Sequence, residues 1–543
     1  MTNAAIYYQH EAFNTRAPKL MGRQAAGEGF LAGFARHGGV ERLLGYARTR
    51  REFDEFRRQV GEGRECAWIP HGDAQGLAAA GTLFVYAPGL SGFAWQRSFA
   101  GPAAWSVVGL THTISSDRVM DEFGAMLTAP VEPWDALICT SAAVRKTIEG
   151  VMARYGAWLA ERFGAPAPRA RVELPVIPLG VDCDAFARHA PLRAEARRRL
   201  RLGADEVVFL FVGRLSYHAK AHPLPMYLAL EAAAKRTTKR LVLLLSGYFF
   251  NDSIREHFLD GARRFCPSVR MLQVEGREPE TRAAAWACAD VFTSLSDNIQ
   301  ESFGLTPVEA MAAGLPVVVS DWNGYRDTVV EGETGFCLPT AMPEPGAGAE
   351  LALQYLAGAD SYDAYIGKVS QCTAVDVAAA TEAYVRLAES PELRRRLGDA
   401  GRARARRTYD WSVIIPAYQA LWRELASRRA AQPPTNGRPF PLRGDPFEVF
   451  AAFPTRTIAG GTLIRRAASE PLREAERIAA SGMNNIALRH LLGHEELEQL
   501  FAALAPGKHV SVAELERLFA PERQAALRRT LGWLAKGAVV DIE

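Results

Sequence analysis

Short apolar runs alternate with amphipathic stretches along most of the chain, and that alternation predicts parallel sheets covered by helices. One series of runs lies at 4–9 (AAIYYQ), 82–88 (TLFVYAP), 105–113 (WSVVGLTHT) and 136–141 (ALICTS). A second starts at 206–215 (EVVFLFVGRL) and continues at 240–247, 269–275, 290–295, 315–319 and 335–339. Two series predict two Rossmann-like domains. Between them, the arginine-dense stretch 190–202 reads as a solvated helix face beside a linker. A segment rich in Gly, Ala and Tyr, 340–375, interrupts the pattern before helical spacing resumes at 376–397. DWSVIIPAYQALWREL (410–425) predicts a long helix, and the Pro-, Arg- and Gly-rich stretch 427–446 reads as a linker. Beyond it, helical patterns at 470–480, 485–504, 512–519 and 522–534 lead into a short apolar strand.

The most informative run is DNIQESFGLTPVEAMAAGLPVVVSD (297–321), a loop feeding a short helix and then a strand. Thr306 is the expected N-cap, Pro307 fits the first helical position, and Glu309 completes a capping box. Gly314 ends the helix. Gly304 and Leu305 then offer backbone N–H groups at a helix N-terminus, where an anion such as phosphate is stabilised. Glu301 and Glu309 flank that place. Read without any ligand, Glu309 caps its own helix and Glu301 is a solvated loop acid.

Other residues reach strand ends, where ligands on parallel sheets gather. His112 closes one run, and Arg214 and Lys220 follow another, where two cations could neutralise a diphosphate. A glycine-bearing loop is expected from Met21 through Gly27 and Gly29 into a helix, without the dinucleotide spacing. Asp182 and Asp184 form a D-x-D that could suggest a metal; following a Pro-x-Gly turn, it reads as helix capping instead.

The pattern E-S-F-G-L-x-x-x-E-A-M-A-x-G-x-P-V-V at 301–318 resembles the E-x7-E segment of family 4 glycosyltransferases, retaining enzymes of the GT-B fold. The V-G-R-L at 212–215 with its following lysine, the I-P-L-G-V-D at 177–182 and the strand ending in His112 are similar to further family elements. The resemblance implies an α/β protein with two facing Rossmann-like domains, 1–190 and 191–410. A crossover helix at 411–427, a linker at 428–446 and a mainly helical, winged-helix-like domain at 447–543 would follow.

The resemblance also implies a donor site. His112 and Glu301 would orient the sugar, and Glu309 would hold ribose hydroxyls. Gly213, Arg214, Lys220, Phe303, Gly304 and Leu305, with Gly27 and Gly29, would line the nucleotide-diphosphate sugar, a UDP- or GDP-sugar, without metal or cofactor. The acceptor stays open among protein, lipid-linked glycan and small molecule. A GT-B phosphorylase or epimerase, and a degenerate transferase acting as a scaffold, are the alternatives. Residues 320–327 depart from the family loop, with Asn323 in place of glycine and Asp327 in place of glutamate.

Composition narrows the surroundings. The 543 residues carry 64 basic and 61 acidic side chains, a net charge of +3 that excludes a strongly basic nucleic-acid binder. Seven scattered cysteines without a C-x-x-C pair indicate neither a disulfide framework nor a zinc site, so a reducing cytoplasm is expected. No apolar run reaches the roughly 18 residues of a spanning helix. The C-terminal domain is expected to pack, dimerise or meet a partner.

Overall fold

The computed structural model describes residues 2–15, 22–61, 63–433 and 435–543. The runs of the first series form strands β1 (Ala5–Tyr7), β4 (Thr82–Val85), β5 (Ser106–Leu110) and β6 (Ala136–Ile138). Two strands the pattern did not predict, β2 (Arg42–Ala47) and β3 (Glu65–Pro70), complete a parallel sheet of order β3-β2-β1-β4-β5-β6. The second series forms β7 (Glu206–Val212), β8 (Arg240–Gly247), β9 (Arg270–Glu275), β10 (Val291–Ser294), β11 (Val317–Ser320) and β12 (Gly335–Leu338). That sheet is also parallel, in the order β12-β11-β10-β7-β8-β9. Strand order reverses between β7 and β10, so the loops after those two strands flank a topological switch point.

The arginine-dense stretch is not merely a solvated face. Arg193 and Arg197 both bond the Asp290 carboxylate, and Arg197 also donates to the carbonyls of Cys288, Gly203 and Glu206. Those bonds fasten the helix Arg193–Arg199 to the N-terminal ends of the central strands β7 and β10. The D-x-D behaves as expected of a cap: Asp182 accepts from the Ala185 N–H at 2.9 Å, while Asp184 pairs with Arg406 at 2.6 Å. The 340–375 segment holds two helices, Ala349–Leu356 and Tyr362–Gln371, closed at its base by β13 (Thr340–Ala341) pairing with β14 (Ala374–Val375).

The helix Trp411–Ala430 returns to the first half. Tyr418 and Trp422 are fully buried against Phe30, Phe34 and Phe84, with ring centroids 5.6–5.9 Å apart. Trp411 occupies a seat made by glycines: a Cβ on Gly33 or Gly180 would stand 2.7 or 2.4 Å from its ring. Residues 441–543 form a separate compact unit with its own core, including Ile464, Leu500, Leu527 and Leu531. There β15 (Leu463–Arg466) lies between β16 (His509–Ser511) and β17 (Val540–Ile542) in an antiparallel sheet. Only the last of these strands was predicted; β15 (LIRR) and β16 (HVS) mix polar and charged residues with one or two apolar ones and so lack an apolar run. Among the described residues no helix is long and apolar enough to cross a membrane, and no cluster of His, Cys, Asp and Glu could hold a metal.

Truncating the docked helix tests this packing. Trp422→Ala removes a fully buried ring and should cost about 3–5 kcal/mol, read as a lower denaturant midpoint; an unchanged midpoint would contradict the docking of this helix.

Candidate functional site

The loop after β10 turns into the helix Leu305–Ala313 through Gly304, whose φ of +86° is the left-handed conformation. A Cβ there would also stand 2.0 Å from the Tyr325 ring, so glycine is needed on both counts. Gly304, not Thr306, is the N-cap, and the cap has no side-chain hydrogen bond. The expected capping box is therefore absent. The helix starts two residues early because the left-handed turn and the Tyr325 contact set its first turn. Pro307 lands in the third helical position and Glu309 in the fifth.

Glu309 is thus released from the local task that best explained it. Its side chain is partly exposed, yet the protein crowding its carboxyl desolvates it and pushes its pKa up to about 7 against the opposing charges of Arg282 and Lys220. Glu301 goes the other way. Burial raises its pKa, but the Lys220 charge and hydrogen bonds from Lys220 and from the Ser302 and Gly304 N–H groups outweigh burial and hold it ionised. It is not a solvated loop acid, being 12% exposed and ion-paired with Lys220, which is 20% exposed. The Gly304 amide expected for an external anion faces this carboxylate instead.

Arg214, in the loop after β7, donates to the Gln300 side-chain oxygen at 2.7 Å and to the Ala219 carbonyl at 3.0 Å. Gly213 precedes it at φ +147°, close against the Lys220 side chain. Phe303 is buried, with its ring 6.2 Å from that of Tyr409, so its side chain belongs to the core. Leu305 opens the helix and packs against the same core.

In the first half, His112 follows β5 and its ring lies 4.6 Å from that of Tyr86. Burial, reinforced by the Arg23 charge, depresses its pKa to about 4 although a hydrogen bond to the Tyr86 backbone opposes that, so the imidazole is neutral. Nε2 is buried with no hydrogen-bond partner among the described residues. The glycine loop requires correction. Its start, Met21, lies outside the described residues, and Gly27 and Gly29 sit inside the helix Gly22–His37. Gly27 meets Phe13 and Tyr86, and Gly29 meets Trp411. These glycines permit close helix packing; an alanine-rich helix that tolerates them here needs no turn.

Several contributors were not singled out from the sequence. The Ser141 hydroxyl bonds the Ser302 carbonyl at 2.9 Å and lies 3.1 Å from Asn323 Oδ1. Asn323, at φ +44°, also donates to the Glu301 carbonyl, and the Asp327 carboxylate accepts the Ala142 N–H at 2.7 Å. Both departures from the expected loop thus bond the first half. The Tyr362 hydroxyl lies 3.3 Å from Thr113 Oγ1 and accepts from Gln300 Nε2 at 3.2 Å. Neighbours of His112 and of Glu301 therefore meet on one phenol.

A family model described as "Glycosyl transferases group 1" matches residues 193–366, the part that holds Arg214, Lys220, Glu301 and Glu309. The chain is 29% identical over 276 residues to a phosphatidyl-myo-inositol mannosyltransferase of Mycobacterium tuberculosis, covering 50% of this chain and 58% of that one. It is 34% identical over 198 residues to a D-inositol 3-phosphate glycosyltransferase of Thermobispora bispora, covering 36% and 44%. The matched part thus spans little more than half the length of these curated relatives or less. The solved structure of Anabaena Alr3699/HepE in complex with UDP and glucose is 15% identical, with a TM-score of 0.51 over 78% of this chain and 100% of that one. With its two parallel six-stranded sheets, the fold is GT-B.

The raised Glu309 fixes a pH effect. A carboxyl that binds its proton more tightly when folded contributes stability that is fully present below its unfolded pKa of about 4.3. That contribution is lost as pH rises through about 7. Glu309→Gln should raise the melting temperature at pH 8 and flatten its decline between pH 4 and 7, leaving the share of Asp297, whose pKa burial also lifts to about 7. A melting profile parallel to that of the parent chain at every pH would refute the raised pKa of Glu309.

Proposed function

We propose that the chain is a retaining, metal-independent glycosyltransferase of family 4 that moves a sugar from a UDP- or GDP-sugar to an acceptor hydroxyl. The observation that carries this reading is the convergence of Arg214, Lys220, Glu301 and Glu309 on the switch point between β7 and β10, inside the segment matched by the group 1 model. Arg214 and Lys220 stabilise the charge that develops on the departing diphosphate. As the bond from the anomeric carbon to the diphosphate breaks, the acceptor oxygen attacks from the same face. Its proton passes to the leaving phosphate oxygen. Glu301 and the neutral His112, with its free Nε2, orient the sugar hydroxyls, and Glu309 holds the ribose. Closure of the two halves excludes water and suppresses donor hydrolysis.

Both curated relatives are named for inositol compounds, phosphatidyl-myo-inositol and D-inositol 3-phosphate, so polyol phosphates head the acceptor panel. Protein and lipid-linked glycan acceptors complete it. The 441–543 unit is read as a module for packing or for a partner.

Donor binding is tested first with a nucleotide-sugar panel read by thermal shift. Arg214→Ala should weaken UDP or GDP binding roughly 10- to 100-fold, the range for hydrogen bonds to charged groups, while nucleoside binding changes little. Equal losses for both would sink the diphosphate role. Glu301→Gln should abolish most transfer, followed by mass spectrometry of the product, with nucleotide binding retained; full transfer by this variant would remove Glu301 from the mechanism.

A further inference from the structure

The 340–375 segment departs from the second sheet after β12 and returns through the β13–β14 pair. Lys368 braces its interior, donating to Asp360 at 2.6 Å and Gln354 at 2.8 Å. The segment has little core of its own. No residue of the helix Ala349–Leu356 is buried, and Leu353 and Leu356 are exposed. What it presents to the first half is two phenols. The Tyr355 hydroxyl accepts from the Asp117 N–H at 3.3 Å, and the Tyr362 hydroxyl lies 2.7 Å from Ser115 Oγ and 3.3 Å from Thr113 Oγ1.

The same Tyr362 oxygen accepts from Gln300 Nε2 at 3.2 Å, and the Gln300 side-chain oxygen accepts from Arg214 at 2.7 Å. The hydrogen-bond sense is determined along the chain. Arg214 only donates, so the Gln300 oxygen must face it and the amide nitrogen must face Tyr362. The phenol accepts from that nitrogen and has its own proton left for Ser115 or Thr113. A continuous relay thus runs from the loop beside His112, through an inserted tyrosine, to the cation at the switch point. Loss of the phenol would leave Gln300 free to turn its amide, and Arg214 would lose a fixed acceptor.

We propose that Tyr362 is a positioning residue that couples closure of the 113–117 loop onto the inserted segment to the aim of Arg214 at the donor diphosphate. This rests on the reading of the site as one for a nucleotide-diphosphate sugar. The contacts made by Tyr355 and Tyr362 are hydroxyl bonds at loop level, so the segment can dock and release without exposing a core. Donor affinity then depends on whether the halves are closed, and Arg214 is fully aligned only when the acceptor-side loop is in place.

The test uses the full chain and isothermal titration with UDP and GDP, alongside uridine and guanosine. Tyr362→Phe should weaken binding of the diphosphate by roughly fivefold, the worth of one hydrogen bond, with nucleoside affinity unchanged. Ser115→Ala, which removes the far end of the relay and keeps the phenol, should shift the diphosphate in the same direction. In an Arg214→Ala background, Tyr362→Phe should add no further loss, since a residue that acts through another is silent once that other is gone. The inference is overturned if Tyr362→Phe binds the diphosphate like the parent chain. It is equally overturned if the variant loses nucleoside and diphosphate alike, or loses the same factor without Arg214. A parent chain that binds neither UDP nor GDP overturns the donor reading and this inference together, whereas parent binding with a silent Tyr362→Phe overturns the inference alone.

Discussion

The Lys220–Glu301 ion pair is the interaction on which the arrangement of the site depends. The two residues come from different loops, one after β7 and one after β10, and both are largely buried. Leaving either charge buried without the other would cost several kcal/mol, so the pair holds the loops in one mutual position. Neighbouring bonds repeat the link. Arg214 meets Gln300, the His222 N–H meets Asp297, Asn298 donates to the His218 carbonyl, and the Ser296 hydroxyl donates to the Lys220 carbonyl. All run from the β7 loop to the β10 loop, across the crevice that a doubly wound sheet opens at its switch point. The topology makes the crevice, and the pair gives it a fixed lining.

Strands β7, β8, β10 and β11 in the second half were legible because their residues are buried on both faces and so form continuous apolar runs. β2 and β3 were missed for the opposite reason: Gly45 interrupts the short apolar run of β2, and β3, bounded by Glu65 and Pro70, is mostly half-buried. At the site, the cations and glutamates were legible through a motif, but the geometry of the helix start was not. Capping rules placed the N-cap at Thr306 from local side-chain chemistry. Gly304 took that place through a backbone conformation that no neighbouring residue type announces and through contact with Tyr325, which is 21 positions away in sequence. The consequence reverses the weight given to Glu309, since the local account of that residue fails while its raised pKa stands.

Residues that join the halves were illegible for a related reason. Ser141, Asn323, Asp327 and Tyr362 are ordinary polar residues, and their importance lies wholly in long-range partners. Asn323 and Asp327 looked like defects in a family loop. The backbone at Asn323 is left-handed, which glycine or asparagine can adopt. Asparagine adds a side chain that glycine lacks, and that side chain reaches both Glu301 and Ser141. Asp327 supplies a carboxylate at the N-terminus of the helix Ala142–Phe163, where a negative charge is stabilised. The departures therefore add contacts between the two halves.

On the proposed reading the site must admit a nucleotide-sugar donor and then exclude water, so a fixed donor site needs a hinge elsewhere. The chain crosses between the halves twice, near 181–183 and near 409–411, and the crossings are bonded to each other. The Val181 N–H donates to the Tyr409 carbonyl at 2.8 Å, and the Trp411 N–H donates to the Val181 carbonyl at 3.1 Å. Two adjacent, mutually bonded crossings define a single axis, whereas separated ones would resist rotation. Trp411 lies on that axis in its glycine seat, against Gly180 from one crossing and Gly29 and Gly33 from the first half. The seat is formed by glycines, while other contacts between the halves are discrete bonds from Ser141, Asp327, Tyr355 and Tyr362. Opening would break those few polar bonds, each exchangeable for water at about 0.5–1.5 kcal/mol, and would leave the Lys220–Glu301 lining undisturbed. The division of labour follows from the chemistry: a buried ion pair holds the part that must not move, and a few single polar bonds hold the part that must.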